Sequence, residues 1–224
     1  MTIQEKFTHL GGIFLSSQDV ISEKLQSTKG IIFDWDGVFN NGIKGSESAS
    51  GFSEADSMGL NMFRFNQWRL TGKIPITCII TGENNSSAVE FAKREHLHAV
   101  YSRFANKITA LNHLSKTYTI SFRELAFVMD DILDLSASSQ CNLSFCIRRN
   151  ASPLFQEFVS TVMPCDYITA NEGGKHAIRE LCEMLIGIGG QYKETIQSRI
   201  FYDEAYKQYI TERNLINTEI ETSR

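Results

Sequence analysis

Short apolar runs alternate with longer stretches of helical periodicity along most of the chain. Gly30-Ile-Ile-Phe-Asp34 is brief and continuous in its apolar residues, the pattern of a buried strand, and Ile76–Thr81, Ala99–Tyr101, Leu125–Met129 and Leu143–Ile147 repeat it. Between them the spacing predicts helices over Gly59–Leu70, Ser86–Glu95 and Asn106–Tyr118. The first carries Leu60, Phe63 and Trp68, the second opens on hydroxyl residues able to cap it, and the third lines up Ile108, Leu111 and Leu114. A further helix is expected over Lys175–Ile186, after the Gly173-Gly174 turn. Strands and helices taking turns predict an α/β fold of three layers, a mainly parallel sheet covered on both faces.

Two stretches break the rhythm. Asn40 to Ser57 (NNGIKGSESASGFSEADS) is rich in Gly, Ser and Asn and reads as a loop or small hairpin. The tail from Gln191 to Arg224 is polar and helix-prone, with Tyr192, Ile196 and Ile200 at i, i+4 spacing and Tyr202, Tyr206 and Ile210 likewise. That stripe needs a partner, its own core or a second subunit, and a subunit contact is the favoured expectation. Asp203 and Lys207 are spaced to pair on the helix surface. The division expected is an N-terminal helical segment over 1–29, a main domain over 30–190 and a helical tail over 191–224.

Composition narrows the classes. The 224 residues, 42% hydrophobic and 21% charged, suffice for one domain with a real core. A net charge of −4 excludes a general nucleic-acid binder, which needs basic groups to displace counterions. An anionic substrate must therefore be attracted locally, by a metal or a few cations. The N-terminus lacks the layout of a secretory signal, and no stretch approaches the ~20 apolar residues of a membrane span. The five cysteines are odd in number and form no CxxC pair, so a zinc site or disulfide framework is not expected. The expectation is a soluble cytoplasmic protein with no nucleic-acid or membrane partner.

The chemistry gathers at strand ends, where ligands of parallel sheets bind. After the first strand comes Asp34-Trp-Asp36-Gly-Val, after the second Thr81-Gly82, and after the Leu125–Met129 strand Asp130-Asp131-Ile-Leu-Asp134; Lys107 opens the helix from Asn106. Phosphate-ester hydrolysis by an anionic nucleophile needs a cation to offset repulsion. Magnesium takes one or two carboxylates with phosphate and water, and Asp34 and Asp130 can supply them. One oxygen of Asp34 is then left to attack phosphorus. Asp36, two residues on, can protonate the leaving alkoxide and later activate water. Lys107 and the Thr81 hydroxyl can bind the phosphate oxygens, and Gly37 and Gly82 let backbone amides come close. Of Asp131 and Asp134, one can orient Lys107 or a metal-bound water while the other caps the next helix. Lys175 and Arg179, at i, i+4, read equally as surface cations or substrate-binding groups, and Lys44 is similarly open. His96 and His98 read as surface or packing histidines.

These residues resemble the four ordered motifs of the haloacid dehalogenase superfamily: DxD, Thr or Ser, Lys, and an acidic cluster, here spanning Ile31 to Asp134. More narrowly, FDWDGVFNNGIK, Asp56-Ser-Met-Gly59, ITGENN, Asn106-Lys107, MDDILD and EGGKHAIREL resemble the 3-deoxy-octulosonate 8-phosphate phosphatase family, over Ile31 to Leu185. The resemblance implies a β-hairpin near Asn41–Ser53 in place of a cap domain, a homotetramer, and a phosphorylated 2-keto-3-deoxy sugar acid as substrate, nine-carbon relatives included. It implies Asp34 as nucleophile, Asp36 as acid and base, and magnesium held by Asp34, the Asp36 carbonyl and Asp130. Thr81, Gly82, Lys107 and Lys175 would bind phosphate or substrate. The sequence departs from that family at Asn40-Asn41, Glu83, Met129 and Lys175, where Thr-Asp, Arg, Gly and Arg are typical. Lysine at 175 keeps the charge but loses the fork that suits carboxylates. Phosphatases of other small sugar phosphates and a non-catalytic binding or assembly module are the alternatives. A phosphorylation-receiver domain uses similar groups, but its acidic pair comes first and its lysine last, the reverse of the order here.

Overall fold

The computed structural model describes residues 1–44 and 51–223. Among the described residues, eight strands form one sheet: β1 (Ile13–Phe14), β2 (Gly30–Phe33), β3 (Ile76–Ile80), β4 (Ala99–Ser102), β5 (Leu125–Met129), β6 (Leu143–Arg148), β7 (Tyr167–Glu172) and β8 (Glu219–Thr222). Their order is β1-β7-β6-β5-β2-β3-β4-β8, and every pairing is parallel except β1 with β7. Ten helices accompany them among the described residues: α1 (Ile3–Leu10), α2 (Gln18–Ser27), α3 (Glu54–Thr71), α4 (Ser86–Arg94), α5 (Lys107–Tyr118), α6 (Leu135–Ser138), α7 (Pro153–Thr161), α8 (Ala177–Ile188), α9 (Tyr192–Phe201) and α10 (Glu204–Asn214).

The apolar runs are continuous because both sheet faces are covered. Successive strand residues point to opposite faces, so Ile31, Phe33, Ile79, Ala126 and Val128 pack with α2, α3, α4 and α8. Their neighbours Ile32, Cys78, Ile80, Phe127 and Met129 pack with residues of α5, α6 and α7 on the other side. This is the expected three-layer α/β fold. All five cysteines are buried and free.

The boundaries differ where polar residues cap helices. Helix α3 begins at Glu54, not Gly59: the Ser53 hydroxyl accepts the Ala55 amide, and Glu54 and Asp56 occupy the positive first turn. The polar run read as loop is therefore partly a helix start. Helix α8 begins two residues late, at Ala177, because Gly174 and His176 take left-handed backbone (φ 77° and 66°). Lys175 thus sits in a turn and shares no helix face with Arg179. Strands β1, β7 and β8 were not evident as apolar runs: β1 has two residues, and β7 and β8 carry polar side chains. The hairpin expected over Asn41–Ser53 falls across residues 45–50, outside the described residues.

The tail packs on its own chain. Tyr206 and Tyr209 of α10 are buried against α3, where Asn61 Nδ2 donates to the Tyr206 hydroxyl at 2.9 Å and Tyr209 donates to Asn61 Oδ1 at 3.0 Å. Trp68 Nε1 donates to Glu212 at 2.7 Å, and β8 pairs along β4. Tyr206 of the aromatic stripe is thus packed on α3 of the same chain, while Ile200 and Tyr202 remain exposed. Asp203 and Lys207 do not pair: Asp203 accepts the Tyr206 amide as a cap, and Lys207 meets Glu204 at 2.7 Å. Among the described residues no helix is long and apolar enough to cross a membrane.

Candidate active site

The chain runs outward from β2 through β3 to β4, then returns to place β5 on the other side of β2. The carboxyl ends of β2 and β5 therefore flank the crevice where strand order reverses. Asp34 follows β2 and Asp130 follows β5, and the Asp34 amide still donates to the Val128 carbonyl at 3.0 Å. The two carboxylates are held side by side by the last rung of the ladder. Asp34 Oδ1 accepts the Trp35 amide at 2.7 Å and the Lys107 ammonium at 2.7 Å.

Lys107, the first residue of α5, is nearly inaccessible and reaches both Asp34 and Asp134. Burial works against its charge, yet the two carboxylates prevail and hold its pKa above the ordinary lysine value. Asp134 is placed by a turn of 3-10 helix over Ile132–Asp134. Asp131 caps that turn, its side chain accepting the Ile132 amide at 2.7 Å, while Asp134 faces inward to Lys107. The two acidic residues left open by the sequence thus divide the work: Asp131 caps and Asp134 orients the lysine.

Asp36 turns its carboxyl toward Asn85 Nδ2 at 2.8 Å and Lys44 Nζ at 3.1 Å. Asn85 also donates to the Thr81 hydroxyl at 2.8 Å, so one amide links the residue after β3 to the residue beyond β2. Thr81 is buried and lines the hollow together with Gly82 and Glu83.

Asp130 is nearly fully buried and is met by the Arg149 guanidinium, which also approaches Asp131 at 3.7 Å. Gly37, at φ 82°, passes directly over this pair, and a Cβ there would overlap Asp130 Oδ2 and Arg149 Nη2. Carboxylate oxygens of Asp34, Asp130 and Asp134 lie within 4.8 Å of one another. Burial, then the Asp34 charge, raises the Asp130 pKa to about 8, Arg149 only partly offsetting them. The same two causes raise Asp134 to about 6 against the pull of Lys107. A crowded, buried, oxygen-only donor set whose members resist ionising together fits a hard divalent cation such as magnesium. Asp134 joins Asp34 and Asp130 in this set of carboxylates, whereas the contribution expected of Asp36 is its backbone carbonyl.

These groups enclose a hollow of about 260 Å³ lined by Asp34, Asp36, Thr81, Lys107, Asp130 and Arg149, among others. Lys175 is not part of it. It pairs with Glu172 at 2.7 Å and lines an adjoining hollow with Gly37, Asn41, Arg148 and Arg149. Arg179 donates its backbone amide to Asp56 and its side chain to Glu183. His98 accepts the Thr77 amide at 3.1 Å, and His96 meets the Ile216 carbonyl, so both are packing histidines. Lys44 belongs to the site through Asp36. Two residues receive no role from the sequence alone: Asn85, four residues past Thr81, and Arg149, just past the Leu143–Ile147 run. The carboxyl-end position of Arg149 was the available signal for it.

No protein-family model matches the chain. The 3-deoxy-D-manno-octulosonate 8-phosphate phosphatase KdsC of Escherichia coli (strain K12) is 28% identical over 182 residues, 80% of this chain and 89% of that protein. Among solved structures, a haloacid dehalogenase superfamily (subfamily III A) hydrolase from Legionella pneumophila matches with a TM-score of 0.67 and 26% identity, covering 82% of this chain and 95% of the other. The chain resembles the KDO 8-phosphate phosphatases of the haloacid dehalogenase superfamily. The enzyme of this kind from Moraxella catarrhalis, solved in complex with magnesium, phosphate and KDO, matches with a TM-score of 0.66 and 26% identity over 80% of this chain and 97% of its own. The fold is the haloacid dehalogenase fold.

Proposed function

We propose that the protein is a magnesium-dependent phosphomonoester hydrolase acting on a 2-keto-3-deoxy sugar acid phosphate, KDO 8-phosphate or a nine-carbon relative. The observation that carries this reading is the convergence of Asp34, Asp36, Thr81, Lys107 and the Asp130–Asp134 turn on one hollow at the strand-order reversal. Relatives of known activity on KDO 8-phosphate support the substrate class.

Asp34, Asp130 and Asp134, together with the backbone carbonyl of Asp36, are the residues that would hold magnesium, with Lys107 sharing two of the carboxylates. The ion supplies the positive charge that lets an anionic nucleophile approach a phosphate ester. Asp34 attacks phosphorus through the oxygen not bonded to Lys107, the bond to the sugar oxygen breaks, and a phosphoaspartyl group forms on Asp34. Asp36, steered by Asn85 and Lys44, gives its proton to the departing sugar oxygen. It then takes a proton from water, whose oxygen attacks phosphorus and releases phosphate, restoring Asp34. Thr81 and Lys107 bind the oxygens that gain charge in both steps. Assembly as a homotetramer follows from the resemblance and is checked by light scattering.

The test is phosphate release from a panel of phosphorylated sugars and sugar acids, with magnesium and with chelator. Fastest magnesium-dependent release from an eight- or nine-carbon keto-deoxy acid is the expected result. Faster release from other sugars retains the mechanism and discards the substrate class. No release from any compound by a folded protein overturns the enzyme reading.

A further inference from the structure

Arg149 stands where the mechanism gives it no task. Its guanidinium rests on Asp130, one of the three carboxylates of the candidate metal group, and reaches toward Asp131. Lys107 serves the other two members, Asp34 and Asp134. The three carboxylates are thus partly neutralised from within, by one buried ammonium and one guanidinium. The two cations differ in freedom. Lys107 is 2% exposed, locked between its partners, whereas the Arg149 side chain is 37% exposed and sits at the rim.

Arg149 also has somewhere to go. It lines both the Asp34 hollow and the adjoining one of about 300 Å³, where Glu172 provides a carboxylate already shared with Lys175. Gly37 leaves the gap that Asp130 and Arg149 occupy, since any side chain there would overlap both. A divalent cation on Asp130 and a guanidinium on the same carboxylate carry like charge into one small space, and they exclude each other.

We propose that Arg149 is a resident counter-ion that competes with the metal for Asp130, holding the carboxylate cluster together without the ion and swinging toward the Glu172 hollow when the ion binds. This rests on the reading that Asp34, Asp130 and Asp134 form the metal site. The apparent affinity for the ion is then the intrinsic affinity reduced by the fraction of molecules in which Arg149 has vacated Asp130. Removing the guanidinium while keeping the side chain's length tightens the ion and weakens the metal-free fold.

The experiment titrates magnesium into chelator-treated protein by calorimetry and follows thermal unfolding, so neither readout depends on turnover. Arg149→Met is expected to bind magnesium about tenfold more tightly than the unaltered chain and to melt lower in its absence. Arg149→Lys retains the charge on a more flexible stem and is expected to fall between the two. Lys175→Gln removes a neighbouring cation already paired with Glu172 and is expected to leave the affinity within about twofold. Unchanged or weaker binding by Arg149→Met, with the unaltered chain binding normally, overturns the competition alone. So does an equal gain in Lys175→Gln, which would make the effect a general field. Magnesium binding by neither the unaltered chain nor Arg149→Met overturns the metal site and the competition together. Binding by Arg149→Met alone is the extreme form of the proposed competition.

Discussion

Lys107→Met isolates what one buried charge does for this site. Methionine has nearly the same length, so the packing of the α5 N-terminus survives and the change is chiefly electrostatic. The ammonium meets Asp34 at 2.7 Å and also contacts Asp134, with all three side chains largely withdrawn from water. Removing one member of a buried ion pair costs about 3–5 kcal/mol, because the carboxylates stay behind without a partner. The lower end applies here. Asp134 already titrates at about 6 with the lysine present, so without it the group takes up a proton near neutral pH and sheds part of the cost. The unfolding entropy of a 224-residue chain is about 0.5 kcal/mol/K, so a loss of about 3 kcal/mol lowers Tm by about 6 °C. The assay is thermal unfolding in chelator and in magnesium, with phosphate release alongside. The gap from the unaltered chain is expected to narrow with magnesium, which restores counter-charge to Asp34. Turnover is expected to fall at least about a hundredfold, since a preorganised cation is lost from the transferring phosphate. A Tm within 1 °C of the unaltered chain in chelator, with turnover above half, would refute the argument that Lys107 bridges these carboxylates.

Four further outcomes are expected. Asp34→Asn abolishes phosphate release while circular dichroism and the melting transition persist; a fully active variant sinks the nucleophile assignment. Gly37→Ala combines a left-handed φ of 82° with a Cβ that overlaps Asp130, so magnesium binding by calorimetry should be lost or weakened more than tenfold. Tyr209→Ala leaves a cavity between α10 and α3 and is expected to cost about 3–5 kcal/mol in urea unfolding; a cost below 1 kcal/mol would show that the tail is not part of the cooperative core. Asp130 and Asp134 have folded pKa values of about 8 and about 6, above the unfolded 3.8, so the folded chain binds the extra protons. That contribution is complete below about pH 4 and is lost as pH rises toward 8, so the Tm of metal-free protein should fall across this window. The rise in Tm produced by magnesium should grow over the same range, and a flat difference counts against the cluster as the metal site.

The strands β2 to β6 were legible because burial on both faces demands unbroken apolar runs, and a run such as Ile31–Phe33 has no helical alternative of useful length. Asp34, Thr81, Lys107 and Asp130 were legible with them, since strand ends locate the ligand crevice and phosphate chemistry restricts which side chains can occupy it. The short strands were not: β8 carries Ile220 among polar residues and exists only because the β4 edge offers unpaired backbone groups to it. The destination of the tail was also hidden, because an amphipathic stripe states that it needs a partner without naming one, and only packing shows Tyr206 and Tyr209 against Asn61.

Local pattern therefore determined the layers and the order of the chemical groups, both properties of residues near one another in the chain. Tertiary structure alone decided which acid meets which base. Asp36 turns to Lys44 and Asn85, Asp134 joins the carboxylate cluster through Lys107, and Arg149 arrives from another strand to rest on Asp130. Such pairings are set by where loops leave a twisted sheet and by the low-dielectric crevice that makes each unpaired charge costly, and neither is written in residue spacing.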